Sequence, residues 1–271
     1  MIKLNGEIIE QNHFPDGTLL MKTVVQDDIN FIEWNYENDA ELFTLICLVG
    51  HLRSHGFEDY QLIMPYVPHA RQDRVKNKED VFTLKYFCQV INSLNFKLVT
   101  VFDVHSNVAL ALLDRVQEVK PWDHIENAIS RIYNGLPKDE ELMLFYPDEG
   151  AMKRYSSGLN LPFAFGVKRR NWETGAIEGL NLMGEVDSIA GRNILIIDDI
   201  CSKGGTFYHS AKALKEAGAA NIYLYITHCE NTIFEGELLT SDLINHIYTT
   251  NSIFTKEHEK ITVLNVKEGE N

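Results

Sequence analysis

Between Ile194 and Thr206 the chain reads ILIIDDICSKGGT. Four apolar residues lead into two adjacent carboxylates, Asp198 and Asp199, and the run closes on Gly204, Gly205 and Thr206. Adjacent like charges repel, so the pair needs a compensating partner. Glycines between a strand and a helix let backbone N–H groups face a ligand with no Cβ in the way. The helix amino terminus adds partial positive charge. Ser202, Lys203, Gly204, Gly205 and Thr206 therefore form a candidate cradle for a terminal phosphate, with Thr206 offering its hydroxyl and a helix cap. The two carboxylates suit neutral hydroxyls of the same ligand. A sugar phosphate with a vicinal diol satisfies both ends; an acidic strand end facing solvent is the plainer alternative. The run is not a Walker loop, and the chain contains no G-x-G-x-x-G.

Other apolar runs also lead into polar clusters. Gln61–Met64 is followed by PYVPHARQDR, and Leu98–Phe102 by Asp103 and His105. Leu142–Tyr146 leads to Asp148 and Glu149, while Phe163–Val167 leads to Lys168, Arg169 and Arg170. In open parallel sheets ligands bind beyond the carboxyl ends of the strands, so charges of both signs collect where a phosphorylated ligand and its metal would sit.

These runs require strands beneath them and helices between them. Ile194–Ile197 and Ile222–Ile226 complete the set of buried strands. Asp39–Arg53, Thr83–Ser93 and Thr206–Ala217 carry helical periodicity; Phe207, Ala211 and Leu214 fall at i, i+4, i+7, with Gly218 as the stop. Strands alternating with helices predict an α/β fold with largely parallel sheets. Proline in Lys120-Pro121-Trp122-Asp123 marks a boundary, giving domains over 1–122 and 123–271. The echo of VTVFDVH in ILIIDD suits two similar domains.

The bulk numbers limit the partners. A chain of 271 residues, 45% hydrophobic and 24% charged, is long enough for two globular domains. A formal net charge of −14 argues against nucleic acid and anionic membrane surfaces. No apolar run approaches a membrane span, and the first residues lack a signal-peptide pattern. Cys47, Cys88, Cys201 and Cys229 are far apart and read as the reduced thiols of a cytoplasmic protein. HLRSH, with His51 and His55, lacks both a Glu and a third ligand and reads as a solvated helix face.

Several stretches carry a family resemblance. ILIIDDICSKGGT resembles the phosphoribosyl-diphosphate loop of type I phosphoribosyltransferases and of ribose-phosphate pyrophosphokinases. PYVPHARQDR resembles the pyrophosphokinase stretch PYxxYARQDR, FDVHSN its DLHxxQ, YPDEG its SPDxGG, and VKRR its DKRR. FPDGT and ENDAELFTLICLVGHLRSHG also have counterparts. The order is that of the family, from about residue 14 to residue 255. The resemblance implies two phosphoribosyltransferase-like α/β domains in a homo-oligomer. It also implies transfer of a pyrophosphoryl group from ATP to the C1 hydroxyl of ribose 5-phosphate, with magnesium as cofactor. Lys168 and Arg170 match the family's catalytic cations. Phe14, Asp16, Arg71, Gln72, Asp73 and His105 match the ATP side. Asp198, Asp199 and Ser202 to Thr206 match the ribose 5-phosphate site, and His105 and Asp148 the metal side.

This chain also departs from the family pattern. Ser202 and Lys203 stand where the family's loop has Asp and Thr, Thr18 replaces a Glu in the adenine loop, and His69 replaces the Tyr before ARQDR. Two other functions compete: a non-catalytic subunit regulating a synthase, and a phosphoribosyltransferase. A regulator has no need of Lys168 and Arg170, and ordinary phosphoribosyltransferases lack ARQDR.

Overall fold

In a computed structural model, the structure describes residues 1–25, 30–138, 140–170 and 177–267. The chain forms two compact units, Met1–Lys120 and Pro121–Asn271, each an α/β layer structure.

In the first unit, β1 (Ile2–Leu4), β2 (Glu7–Ile8), β5 (Asn30–Trp34), β6 (Tyr60–Met64), β7 (Val99–Phe102) and β8 (Val116–Val119) form a sheet of order β2-β1-β5-β6-β7-β8. The pairs from β5 to β8 are parallel, while β1 and β2 add an antiparallel edge. A short hairpin of β3 (Asn12–His13) and β4 (Leu19–Leu20) stands apart. The helices are α1 (Ala40–Ser54), α2 (Thr83–Ser93) and α3 (Asn107–Leu112). Leu45, Leu48, Val49 and Leu52 of α1 and Leu84, Phe87, Cys88 and Ile91 of α2 bury against Ile32, Leu62, Met64, Val99 and Val101 of the strands.

The second unit contains α4 (Trp122–Gly135), β9 (Leu142–Tyr146), α5 (Glu149–Tyr155), β10 (Phe163–Arg170), β11 (Ile177–Gly184), β12 (Asn193–Cys201), α6 (Gly205–Glu216), β13 (Ile222–Cys229), β14 (His246–Thr250) and β15 (Ile261–Leu264). Its sheet runs β11-β10-β9-β12-β13-β14-β15, antiparallel only between β10 and β11. Strand alternation divides the four apolar residues of β12 between two faces. Ile194 and Ile196 pack with Phe207, Ala211 and Leu214 of α6. Leu195 and Ile197 pack with Ile125, Ala128 and Ile132 of α4 and Ala151 and Tyr155 of α5. A strand covered on both faces must be apolar throughout, which accounts for the unbroken ILII.

The strand expected over Ile194–Ile197 is longer at both ends. Its pairing with β9 stops at Ile196, but β13 continues alongside as far as Cys201↔Cys229. Asp198 and Asp199 therefore sit within the strand, and the loop begins only at Ser202.

Candidate functional site

The loop that follows β12 is short and tightly seated. Gly204 is the residue before α6 and adopts φ +80, and its carbonyl accepts the Tyr208 amide at 2.9 Å. Thr206 is thus the second residue of α6 and not its cap, since the left-handed turn at Gly204 starts the helix. A Cβ on Gly204 would lie 2.9 Å from Leu238 Cδ2 and 3.0 Å from its Cβ, so any other residue here would require the buried Leu238 side chain to shift. Gly205 differs: a Cβ there meets nothing within 4 Å, and both Gly205 and Thr206 are exposed. Helix geometry leaves the first amides of α6 without intrahelical acceptors, and the two residues that open the helix are uncovered.

The partner demanded by the two carboxylates is Arg154. Asp199 shares the strand face of Leu195 and Ile197, the face that α5 covers. There Arg154 Nη1 donates to Asp199 Oδ2 at 2.7 Å, with 23% of the Arg154 side chain and 6% of the Asp199 side chain exposed. Asp198 is half-buried, and its Oδ1 accepts the Asp199 amide at 2.9 Å. Burial first, then the charge of Asp199, and further off that of Asp148, push the Asp198 carboxyl well above the ordinary range. Asp148 caps α5, its Oδ1 accepting the amides of Gly150 at 3.0 Å and Ala151 at 3.1 Å. Sequence reasoning missed Arg154. The available signal was the cation pair Lys153-Arg154, Arg154 standing six residues after Asp148 on a helix that starts from the neighbouring strand.

Ser202 Oγ lies 3.2 Å from Thr232 Oγ1, and Lys203 Nζ pairs with Glu235 Oε2 at 2.9 Å. Cys201 is buried. Lys168 and Arg170 belong to β10, where their backbones pair with Leu180 and Ile177; their side chains lie outside the described structure.

In the first unit the ARQDR segment leaves β6 and is tied down by its own side chains. Arg74 grips Asp73 with two bonds, Nε to Oδ1 at 2.6 Å and Nη2 to Oδ2 at 2.9 Å. Ser106 Oγ donates to Asp73 Oδ2 at 2.6 Å. Arg74, and then Ser106, hold the Asp73 carboxyl down at about 2. Gln72 accepts the Thr83 hydroxyl at 2.8 Å, so its oxygen anchors the start of α2. Arg71 is exposed, and His105 is half-buried just before Ser106, the α3 cap. Ser106 thereby joins the segments carrying Asp73 and His105. His69, at φ +62, bonds Asp39 through Nε2 at 3.1 Å. In the hairpin, Asp16 Oδ1 accepts both the amide at 3.0 Å and the hydroxyl at 2.7 Å of Thr18, and Phe14 is 50% exposed.

Among the described residues no three His, Cys, Asp or Glu side chains gather into a metal-binding cluster. No described helix is long and apolar enough to cross a membrane.

Fold and site together define a two-unit α/β protein whose polar side chains stand at the carboxyl ends of largely parallel strands. A family model described as phosphoribosyl synthetase-associated domain matches residues 176–268. The ribose-phosphate pyrophosphokinase of Pyrococcus abyssi is 29% identical, over 99% of this chain and 93% of its own length. The protein of the same name from Bacillus caldolyticus is 27% identical, over 92% of this chain and 79% of its own. The crystal structure of phosphoribosylpyrophosphate synthetase from Mycobacterium smegmatis matches with a TM-score of 0.77 at 19% identity, covering 96% of this chain and 86% of that one, which speaks for the fold. Along nearly its whole length the chain is similar to ribose-phosphate pyrophosphokinases, and it shares the fold of a phosphoribosylpyrophosphate synthetase.

Proposed function

We propose that the protein transfers the pyrophosphoryl group of ATP to the C1 hydroxyl of ribose 5-phosphate, yielding 5-phosphoribosyl 1-diphosphate and AMP. The reading is carried by one arrangement: the Asp198–Asp199 pair compensated by Arg154 and followed directly by the glycine turn into α6. The α6 amides and Thr206 receive the 5-phosphate, and Asp198 and Asp199 accept hydrogen bonds from the ribose hydroxyls. Diol hydroxyls are donors, so ionised carboxylates are their natural partners. Held this way, the sugar presents its C1 hydroxyl with little freedom left to lose.

The hydroxyl oxygen attacks the β-phosphorus, the bond from that phosphorus to the α,β-bridging oxygen breaks, and AMP leaves with the electron pair. Negative charge grows on the leaving oxygen, and Lys168 and Arg170 are assigned to stabilise it. Phe14 and Asp16 are assigned to the adenine end of ATP, and Arg71, Gln72, Asp73 and His105 to the rest of the nucleotide. The Asp73–Arg74–Ser106 bonds keep that segment in one shape before ligand arrives.

Magnesium is the family's expected cation, and Asp148 and His105 are assigned to its side of the substrate. The carboxylates of Asp148 and Asp198, close enough to influence each other's charge, are the hard oxygen donors such an ion prefers. When bound, the ion neutralises polyphosphate charge and orients it for in-line attack.

The test is product analysis with the purified protein, Mg²⁺, ATP and ribose 5-phosphate. AMP and phosphoribosyl diphosphate should appear in equal amounts, without stoichiometric ADP, and a chelator should stop the reaction. Lys168→Ala should lower kcat at least about a hundredfold with little change in KM, as expected of a charge felt mainly in the transition state. Absence of AMP, together with stimulation of a separate synthase, would establish the regulatory alternative instead.

A further inference from the structure

The segment after β13 folds back along the phosphate loop. The Glu230 amide donates to the Cys201 carbonyl at 2.8 Å, and residues Asn231–Glu235 make a 3-10 turn. Thr232 Oγ1 lies 3.2 Å from Ser202 Oγ and donates to Glu230 Oε2 at 3.0 Å. A Cβ on Gly236 would stand 1.8 Å from the Lys203 carbonyl oxygen, so glycine alone permits this approach. The turn is anchored from behind. Asn231 exchanges two bonds with Thr255, at 2.8 and 3.2 Å, and the Phe234 ring stacks on Phe254 with centroids 6.2 Å apart.

This anchored turn carries Glu235, whose Oε2 holds Lys203 Nζ at 2.9 Å. Lys203 is the loop's own cation, and it is engaged by a carboxylate. The bond with Lys203, then its charge and more weakly that of Lys256, hold the Glu235 carboxyl below its usual range. Both side chains are more than half exposed, so the pair is weak and open to exchange.

We propose that Glu235 is a positioning residue that sets the affinity of the loop for its sugar phosphate by competing for Lys203. An arriving phosphate dianion draws the ammonium group from the single negative charge of Glu235. Part of the phosphate's binding energy is then spent in breaking the pair. The proposal rests on the ribose 5-phosphate assignment above and extends it to residues outside the loop.

The experiment compares wild type, Glu235→Gln, Lys203→Met and the double variant by calorimetric titration with ribose 5-phosphate, and by steady-state kinetics. Glu235→Gln should tighten binding about two- to fivefold at low ionic strength, the range an exposed ion pair supports. The gain should fall away in 0.5 M salt, of the order at which such pairs are screened. It should appear in KM for ribose 5-phosphate and not in kcat or in KM for ATP. In the Lys203→Met background the Glu235 change should have no effect. Unchanged affinity in Glu235→Gln, or the same gain without Lys203, would overturn the proposal. Protein that binds ribose 5-phosphate with the Glu235 effect but releases no AMP would preserve this inference and refute the catalytic reading. No binding by any variant would refute both.

Discussion

Replacing Arg154 with Met tests the compensation at the centre of the site. Methionine keeps much of the apolar stem and removes the guanidinium, leaving Asp199, 6% exposed, without its 2.7 Å partner. Removing one member of a fully buried ion pair costs about 3–5 kcal/mol. Arg154 is 23% exposed, so water relieves part of that loss, and about 2–3 kcal/mol is the expected cost here. For a unit of about 150 residues, each kcal/mol lowers Tm by about 2–4 °C, which places Arg154→Met about 5–10 °C below wild type. Ligand-free thermal melts at neutral pH measure this. The double variant Arg154→Met, Asp199→Asn removes the Asp199 charge as well and should recover more than half of the loss, since replacing both partners is far cheaper than removing one. A Tm within about 1 °C of wild type for Arg154→Met, or strictly additive single losses, would refute the reasoning.

Asp198→Asn should raise the ligand-free Tm at neutral pH while weakening ribose 5-phosphate binding. The folded-state carboxyl lies above its unfolded value, so its stabilising contribution is complete below the unfolded value of 3.8 and is lost as pH rises through the folded one. The gain should therefore vanish near pH 4, and a lower Tm at neutral pH would count against it. Gly204→Ala should cost about 1–2 kcal/mol, because its φ of +80 is unfavourable to any Cβ and Leu238 is close. Gly205→Val should leave Tm unchanged and abolish ribose 5-phosphate binding with ATP binding retained; calorimetry showing equal loss of both ligands would move the phosphate elsewhere. In a thiol-reagent titration of native protein, only half-buried Cys47 should react quickly. Burial pushes the Cys88 thiol up to about 12, and the adjacent Cys229 together with burial raises that of Cys201. Fast reaction of three thiols would contradict this packing.

Much of this was legible before any coordinates. Strand β9 and helix α2 have the bounds their apolar patterns indicate, because both are buried elements whose periodicity is local. The glycine turn into α6 was legible for a similar reason: a strand, two glycines and a helical pattern constrain backbone conformation within a few residues. Other features depend on neighbours far away in the chain. That β12 runs on through Asp198 and Asp199 was hidden, since two acids look like a strand's end until β13 is found paired beside them. Which carboxylate meets Arg154 depends on strand alternation combined with the packing of α5 on one face of the sheet. The partner of Lys203 is the extreme case. Glu235 is separated from it by a helix and a strand, and only the return of β13 beside β12 brings its turn back to the loop. Backbone propensity and apolar period act over a few residues and can be read directly, whereas charge pairing acts through space and is decided by how the strands are ordered in the sheet.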